Sequence, residues 1–91
     1  MNKAIALIER NIELSAEFSR YLFEHPDIDE KIPKEAEIIL IPDFDEELKE
    51  YNRGLGKQIE LEGGKVVYVS IKRLRPKTLS RIEEIRMEAT P

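Results

Sequence analysis

Asp43 and Asp45 stand one residue apart, directly after the apolar run AEIILIP of residues 36–42, and Glu46 and Glu47 follow at once. Two carboxylates at the carboxyl end of a strand can hold Mg²⁺, which takes oxygen ligands and completes its shell with water and phosphate. One of the two could instead accept a phosphoryl group as a nucleophile. A plainer role also fits. Asp43 is a good N-cap, Glu46 three residues on closes a capping box, and Asp45 and Glu47 lie in a first turn facing the positive helix end. The cap is the favoured reading. Phosphoryl chemistry calls for a phosphate clamp and more acids on later strands, and nothing after residue 71 supplies such strands.

The second candidate is the segment KRLRPKTLSR, with Lys72, Arg73, Arg75, Lys77 and Arg81. Lysine and arginine neutralise nucleic-acid phosphates, and arginine adds bidentate contacts. Pro76 prevents a continuous helix, so the segment could lie extended along a phosphate chain. No stacking aromatic is interleaved with the bases and no reader motif surrounds them. The favoured alternative is that these bases face the acidic body of a neighbouring subunit, whose first helix displays Glu9, Glu13 and Glu17. His25 is read as a C-terminal cap or dipole partner. Gly54 and Gly56 in NRGLGK lie inside a helix, outside the strand-to-helix context of a phosphate loop.

Composition narrows the classes. The 91 residues make one small domain, in which a modest core calls for a staple or a partner. Absence of cysteine removes disulfides, Cys-ligated zinc, iron–sulfur clusters and thiol nucleophiles, and a single histidine makes no zinc cluster. No cofactor is expected. Charge begins at Lys3 and no long apolar run follows, so neither a signal peptide nor a membrane span is expected and the chain reads as cytoplasmic. Charged residues reach 37%, a profile shared with hyperthermophile proteins. The net charge of −4 divides unevenly: residues 1–62 carry 16 acids and 8 bases, residues 63–91 carry 3 acids and 7 bases.

These groups must be positioned by four elements. Residues 2–24 predict a long helix with Ile5, Ile8 and Ile12 on one side and Leu7, Leu14, Phe18 and Tyr21 on another, an arc of about 200°. A helix so broadly apolar packs on two things at once. Pro26 ends it, and HPDIDEKIPKE is a loop. Residues 36–42 predict a strand covered on both faces. Residues 44–62 predict a helix with the stripe Leu48, Tyr51, Asn52, Leu55 and Ile59, closed by Gly63 and Gly64. Residues 65–71, KVVYVSI, predict a second strand. Strand, helix and strand make one right-handed βαβ unit with parallel strands. The fold class is therefore α/β, in the order α-β-α-β.

A two-stranded sheet is marginal alone, so the expectation is a homodimer that completes the sheet or core. The domain spans residues 1–76. Residues 77–91 form a tail in which Ser80 and Glu83 fit a capping box and Leu79, Ile82 and Ile85 suggest a short helix.

Taken together, FEHPDI, IILIPDFDEELKEYN and GKVVYVSIKRLRP resemble a family of small prokaryotic proteins classed as a domain of unknown function, over the chain up to about residue 76. That resemblance implies a short stand-alone cytoplasmic domain and no activity, cofactor or catalytic residue. The spacing of Asp43 and Asp45 also resembles the Asp-x-Asp of haloacid-dehalogenase-type phosphatases, without the remaining parts. The functional expectation is a non-enzymatic, homodimeric protein-interaction module. A nucleic-acid-associated or antitoxin-like regulator using residues 72–81 is the alternative, and a Mg²⁺-dependent phosphoryl-handling enzyme on Asp43 and Asp45 comes third.

Overall fold

The structure, a computed structural model, describes residues 2–77 and 80–89. Its elements run α1 (Lys3–Glu24), α2 (Pro26–Glu30), β1 (Glu37–Pro42), α3 (Glu46–Leu61) and β2 (Val66–Ile71). The strands form one parallel sheet in the order β1-β2, in register from Glu37 opposite Val66 to Pro42 opposite Ile71. The mixed α/β order and the parallel pairing expected from the sequence are both present. No helix among the described residues is long and apolar enough to cross a membrane.

Local chemistry sets the boundaries. Asn2 caps α1, its side chain accepting from the Ala4 N–H at 2.9 Å. Pro26 ends α1 and opens α2 at its first turn, where a missing N–H costs nothing. Asp27 and Asp29 favour the same short helix by facing its positive end, so the expected loop contains a turn of helix. At the far end of α3, Gly63 takes φ 89°, and its N–H bonds the Glu60 carbonyl while the Gly64 N–H bonds that of Ile59. This paired closure needs a residue that tolerates the left-handed region, which glycine does.

The core gathers Leu7 and Leu14 of α1, Leu40 of β1 and Leu48 of α3, with Phe18, Tyr51, Val69 and Ile71 half-buried around them. β1 is buried over four consecutive residues, Ile39 to Pro42, as a doubly covered strand should be. β2 is not so covered: Tyr68 and Ser70 are exposed. The buried stripe of α3 also departs from expectation. It runs through Leu48, Asn52 and Gly56, while Leu55 lies in solvent. At Gly56 a Cβ would fall 2.6 Å from the outer end of the Tyr68 ring, so a larger residue there would have to displace that side chain; Gly54 has nothing within 4 Å.

The tail differs from expectation. Residues 80–89 contain no helix, and the Ser80 hydroxyl accepts from the Ile82 N–H at 3.1 Å rather than forming a capping box with Glu83. Ile82 and Ile85 are exposed, and none of the described residues buries them; few short helices persist without packing. Leu79 lies outside the described residues.

Candidate functional site

The acidic corner forms where β1 ends and α3 begins, at the carboxyl end of the strand, the usual place for a ligand in an open α/β sheet. The N-cap is Asp45, not Asp43. Asp45 Oδ1 accepts from the Leu48 N–H at 3.1 Å, and Asp45 has the extended backbone an N-cap needs (φ −138°, ψ 90°). The helix starts later than the sequence suggested because Asp43 and Phe44 form a turn, closed by the Asp45 N–H on the Pro42 carbonyl at 3.2 Å. Glu46 then lies at the first helical position, too early to close a capping box.

Asp43, Asp45 and Glu47 each meet a cation of the chain itself, while Glu46 makes no ion pair among the described residues. Arg10 of α1 reaches across with Nη1 to both oxygens of Asp45, at 2.9 and 3.1 Å, and with Nη2 to Glu47. Lys3 Nζ lies 2.8 Å from the other Glu47 oxygen. Asp43 is held by Lys72 at 2.9 Å and Lys49 at 3.5 Å. Asp43 and Asp45 are thus close in sequence but bound to different partners. A divalent ion here would have to displace Arg10, Lys49 and Lys72, and no cluster of three or more potential metal-ligating side chains occurs among the described residues.

These pairs shift the titration of the groups. Lys72, as the hydrogen-bond partner of Asp43, holds its carboxyl below the usual carboxylate range. Lys3 and then Arg10 do the same for Glu47. Both folded-state values are depressed, so the stability they contribute is present above the unfolded range and lost as pH falls through the folded values. Urea midpoints should therefore hold steady from pH 7 to about 5 and decline below about pH 4. Lys72→Ala should remove part of that decline; an unchanged acid limb would show that the pair contributes nothing.

The cap assignment is tested by comparing Asp45→Ala with Asp43→Ala. Asp45→Ala should cost about 1 kcal/mol by loss of the cap, while Asp43→Ala, which breaks partly exposed pairs to Lys49 and Lys72 and no helix cap, should cost clearly less. Equal losses in urea denaturation would mean that Asp45 is not the cap.

The basic candidates separate in the structure. Lys72 is tied to Asp43, whereas Arg73, Arg75, Lys77 and Arg81 are exposed and make no ion pair among the described residues. His25 caps α1: its N–H bonds the Leu22 carbonyl, Nδ1 donates to the Tyr21 carbonyl at 2.8 Å, and the ring stacks on Tyr21 with centroids 4.0 Å apart. An open groove of about 540 Å³ lies at the opposite, amino ends of the strands, lined by Pro33, Ala36, Glu60, Lys65, Val66 and Tyr68. It is remote in the fold from the acidic corner.

Two features were missed from sequence. Arg10 bridges 35 positions to Asp45, and only its place on the flank between Leu7 and Leu14 hinted at a partner. The other is the face of α1 turned away from the core. Ile5, Ile8 and Ile12 remain 53%, 49% and 64% exposed; the sequence had marked them as one of two apolar sides without showing which side the fold leaves open.

A family model described as a family of unknown function, DUF5647, matches residues 6–85, and the chain belongs to that family. The match runs past residue 76 and takes in the basic segment and part of the tail. No curated protein and no solved structure matches the chain.

Proposed function

We propose that this member of DUF5647 is a non-enzymatic protein-interaction module that works in the cytoplasm as a homodimer joined through the outer face of α1. The observation that carries the reading is the exposed isoleucine seam. A helix whose inner side already packs normally presents polar residues outward, and Ile5, Ile8 and Ile12 at spacings of three and four make a continuous apolar stripe instead. A second copy offers the same stripe, and two-fold pairing of identical patches is the commonest way a small protein covers one. The small set of buried hydrophobic residues supports the same need for a partner. The high charge content supports a heat-adapted setting.

Size-exclusion chromatography with light scattering should give a dimer mass at micromolar protein, and the melting temperature should rise with concentration. Ile8→Glu with Ile12→Glu should give a folded monomer with a concentration-independent melting temperature, since both side chains already face solvent. A wild-type chain that is monomeric at all concentrations would overturn the dimer.

A second reading is supported by the exposed bases Arg73, Arg75, Lys77 and Arg81, which make no ion pair among the described residues. It expects nucleic-acid affinity that falls steeply with salt and collapses when Arg73, Arg75 and Lys77 become alanine.

A further inference from the structure

We infer that the outer edge of β2 is a strand-docking site for an extended, acid-flanked segment of a partner protein. The two edges of the sheet are treated differently by the chain. In the ladder, Glu37 bonds the Lys65 carbonyl and Asp43 that of Ile71, so odd-numbered residues of both strands face the pairing and even-numbered residues face outward. On β1 the outward residues are Ile38, Leu40 and Pro42. The Leu40 carbonyl is taken by Asn52 Nδ2 at 2.8 Å, the Pro42 carbonyl is taken by the Asp45 N–H, and Pro42 has no N–H to offer. That edge is blunted in the manner of protected edges.

β2 has no such protection. The N–H and carbonyl groups of Val66, Tyr68 and Ser70 point outward and make no hydrogen bond among the described residues. The strand, VVYVSI, contains no proline, no charge and no bulge over its six residues. Such an edge is a template for an added strand, with main-chain hydrogen bonds giving affinity.

Charge selects the occupant. Lys65 precedes the edge, and Lys72, Arg73, Arg75 and Lys77 follow it with no acid between them. Arg73, Arg75 and Lys77 recur every second position, a spacing that places side chains on one side of an extended chain. A second copy of β2 would bring bases together. In antiparallel pairing centred on Tyr68, Lys65 of one copy faces Ile71 of the other and has Arg73 as its diagonal neighbour; in parallel pairing each base meets itself, and like charges so placed destabilise a pair. A segment carrying glutamates or aspartates beside its strand residues meets Lys65 at one end and Arg73, Arg75 and Lys77 at the other, where Lys72 is already tied to Asp43 and Glu60 is held by the Tyr68 hydroxyl. Free nucleic acid would satisfy the bases but has no strand to add to the edge.

This inference deepens the interaction reading by naming the partner's chemistry, and it does not require the α1 dimer. The test uses the full chain and a fluorescein-labelled peptide of five alternating valines and threonines between two pairs of glutamates, read by anisotropy. Controls are the same core between lysines, a proline-interrupted core between glutamates, and labelled single-stranded oligothymidylate. The glutamate-flanked strand should bind best. Ser70→Pro, which removes an outward N–H without touching the ladder to β1, should weaken it at least about tenfold, and Arg73→Ala with Arg75→Ala by up to about tenfold.

In the wild-type chain, peptide should protect the Val66, Tyr68 and Ser70 amides from hydrogen exchange, which keeps the test open if Ser70→Pro misfolds. No binding, equal binding of the proline-interrupted core, or protection absent from those three amides overturns the inference; tight oligothymidylate binding without peptide binding overturns it in favour of nucleic acid. Light scattering on the same samples reports the dimer separately, so a monomer that still binds the peptide refutes only the α1 interface.

Discussion

Replacing Leu48 with alanine should lower the free energy of unfolding by about 3 kcal/mol, the middle of the range for buried Leu→Ala. Leu48 is 2% exposed and joins α3 to Leu7, Leu14 and Leu40, the side chains through which α1, β1 and α3 share one core. Its removal takes away a methylene-rich side chain and leaves a cavity that three separate elements would have to close. A domain of this length has a total stability of only about 5–14 kcal/mol, so the variant should unfold at a much lower urea midpoint with little change in slope. Leu55→Ala is the control on the same helix. Leu55 is 42% exposed, and its loss should cost clearly less, about 1 kcal/mol. Equal losses at the two positions would mean that the core does not sit where Leu48 points.

Asn52→Ala should cost about 2–3 kcal/mol, for a different reason. Asn52 is 3% exposed, and Nδ2 donates both to the Leu40 carbonyl and to Asn11 Oδ1, at 2.8 Å each. Asn11 Nδ2 returns a bond to Asn52 Oδ1, also at 2.8 Å. Truncation leaves a buried strand carbonyl without a donor, and such a loss costs more than the hydrogen bond contributes when made. Leucine at position 52 should not rescue stability, because the Leu40 carbonyl would still lack a partner. Asn11→Ala should be milder, since Asn52 keeps its bond to Leu40. Urea denaturation of the three variants gives the order; if Asn11→Ala were the worst, the strand carbonyl would not be the group that matters.

Much of the local structure could be read from sequence, because local patterns cause it. The isoleucine-rich run before Pro42 and the β-branched VVYVS have few alternatives to strand. Gly63 stops α3 for a reason within its own backbone, and His25 at the end of α1 follows from Pro26 beside it. The cap was harder to place. Asp43 and Asp45 are equally good cap residues, and the choice falls to Asp45 because the chain turns after Pro42 and Arg10 arrives from α1. Asn52 stands out in the sequence as a polar residue on an apolar stripe, but the stripe does not say which group it bonds. The partner found is a strand carbonyl, and that bond closes one edge of the sheet.

By itself the sequence determined the order and kind of the four main elements, the parallel pairing that a βαβ connection imposes, the charge division between body and tail, and membership of a family without known function. Each follows from spacing, turn chemistry or composition, which act over a few residues. Only the tertiary structure decided which apolar side of α1 is left open, which aspartate caps α3, which bases are already paired and which sheet edge is exposed. Those outcomes depend on side chains brought together across tens of residues, as Arg10 to Asp45, Asn11 to Asn52 and Asp43 to Lys72 are. Burial and pairing at such distances are properties of the packed chain, and local periodicity carries no record of them.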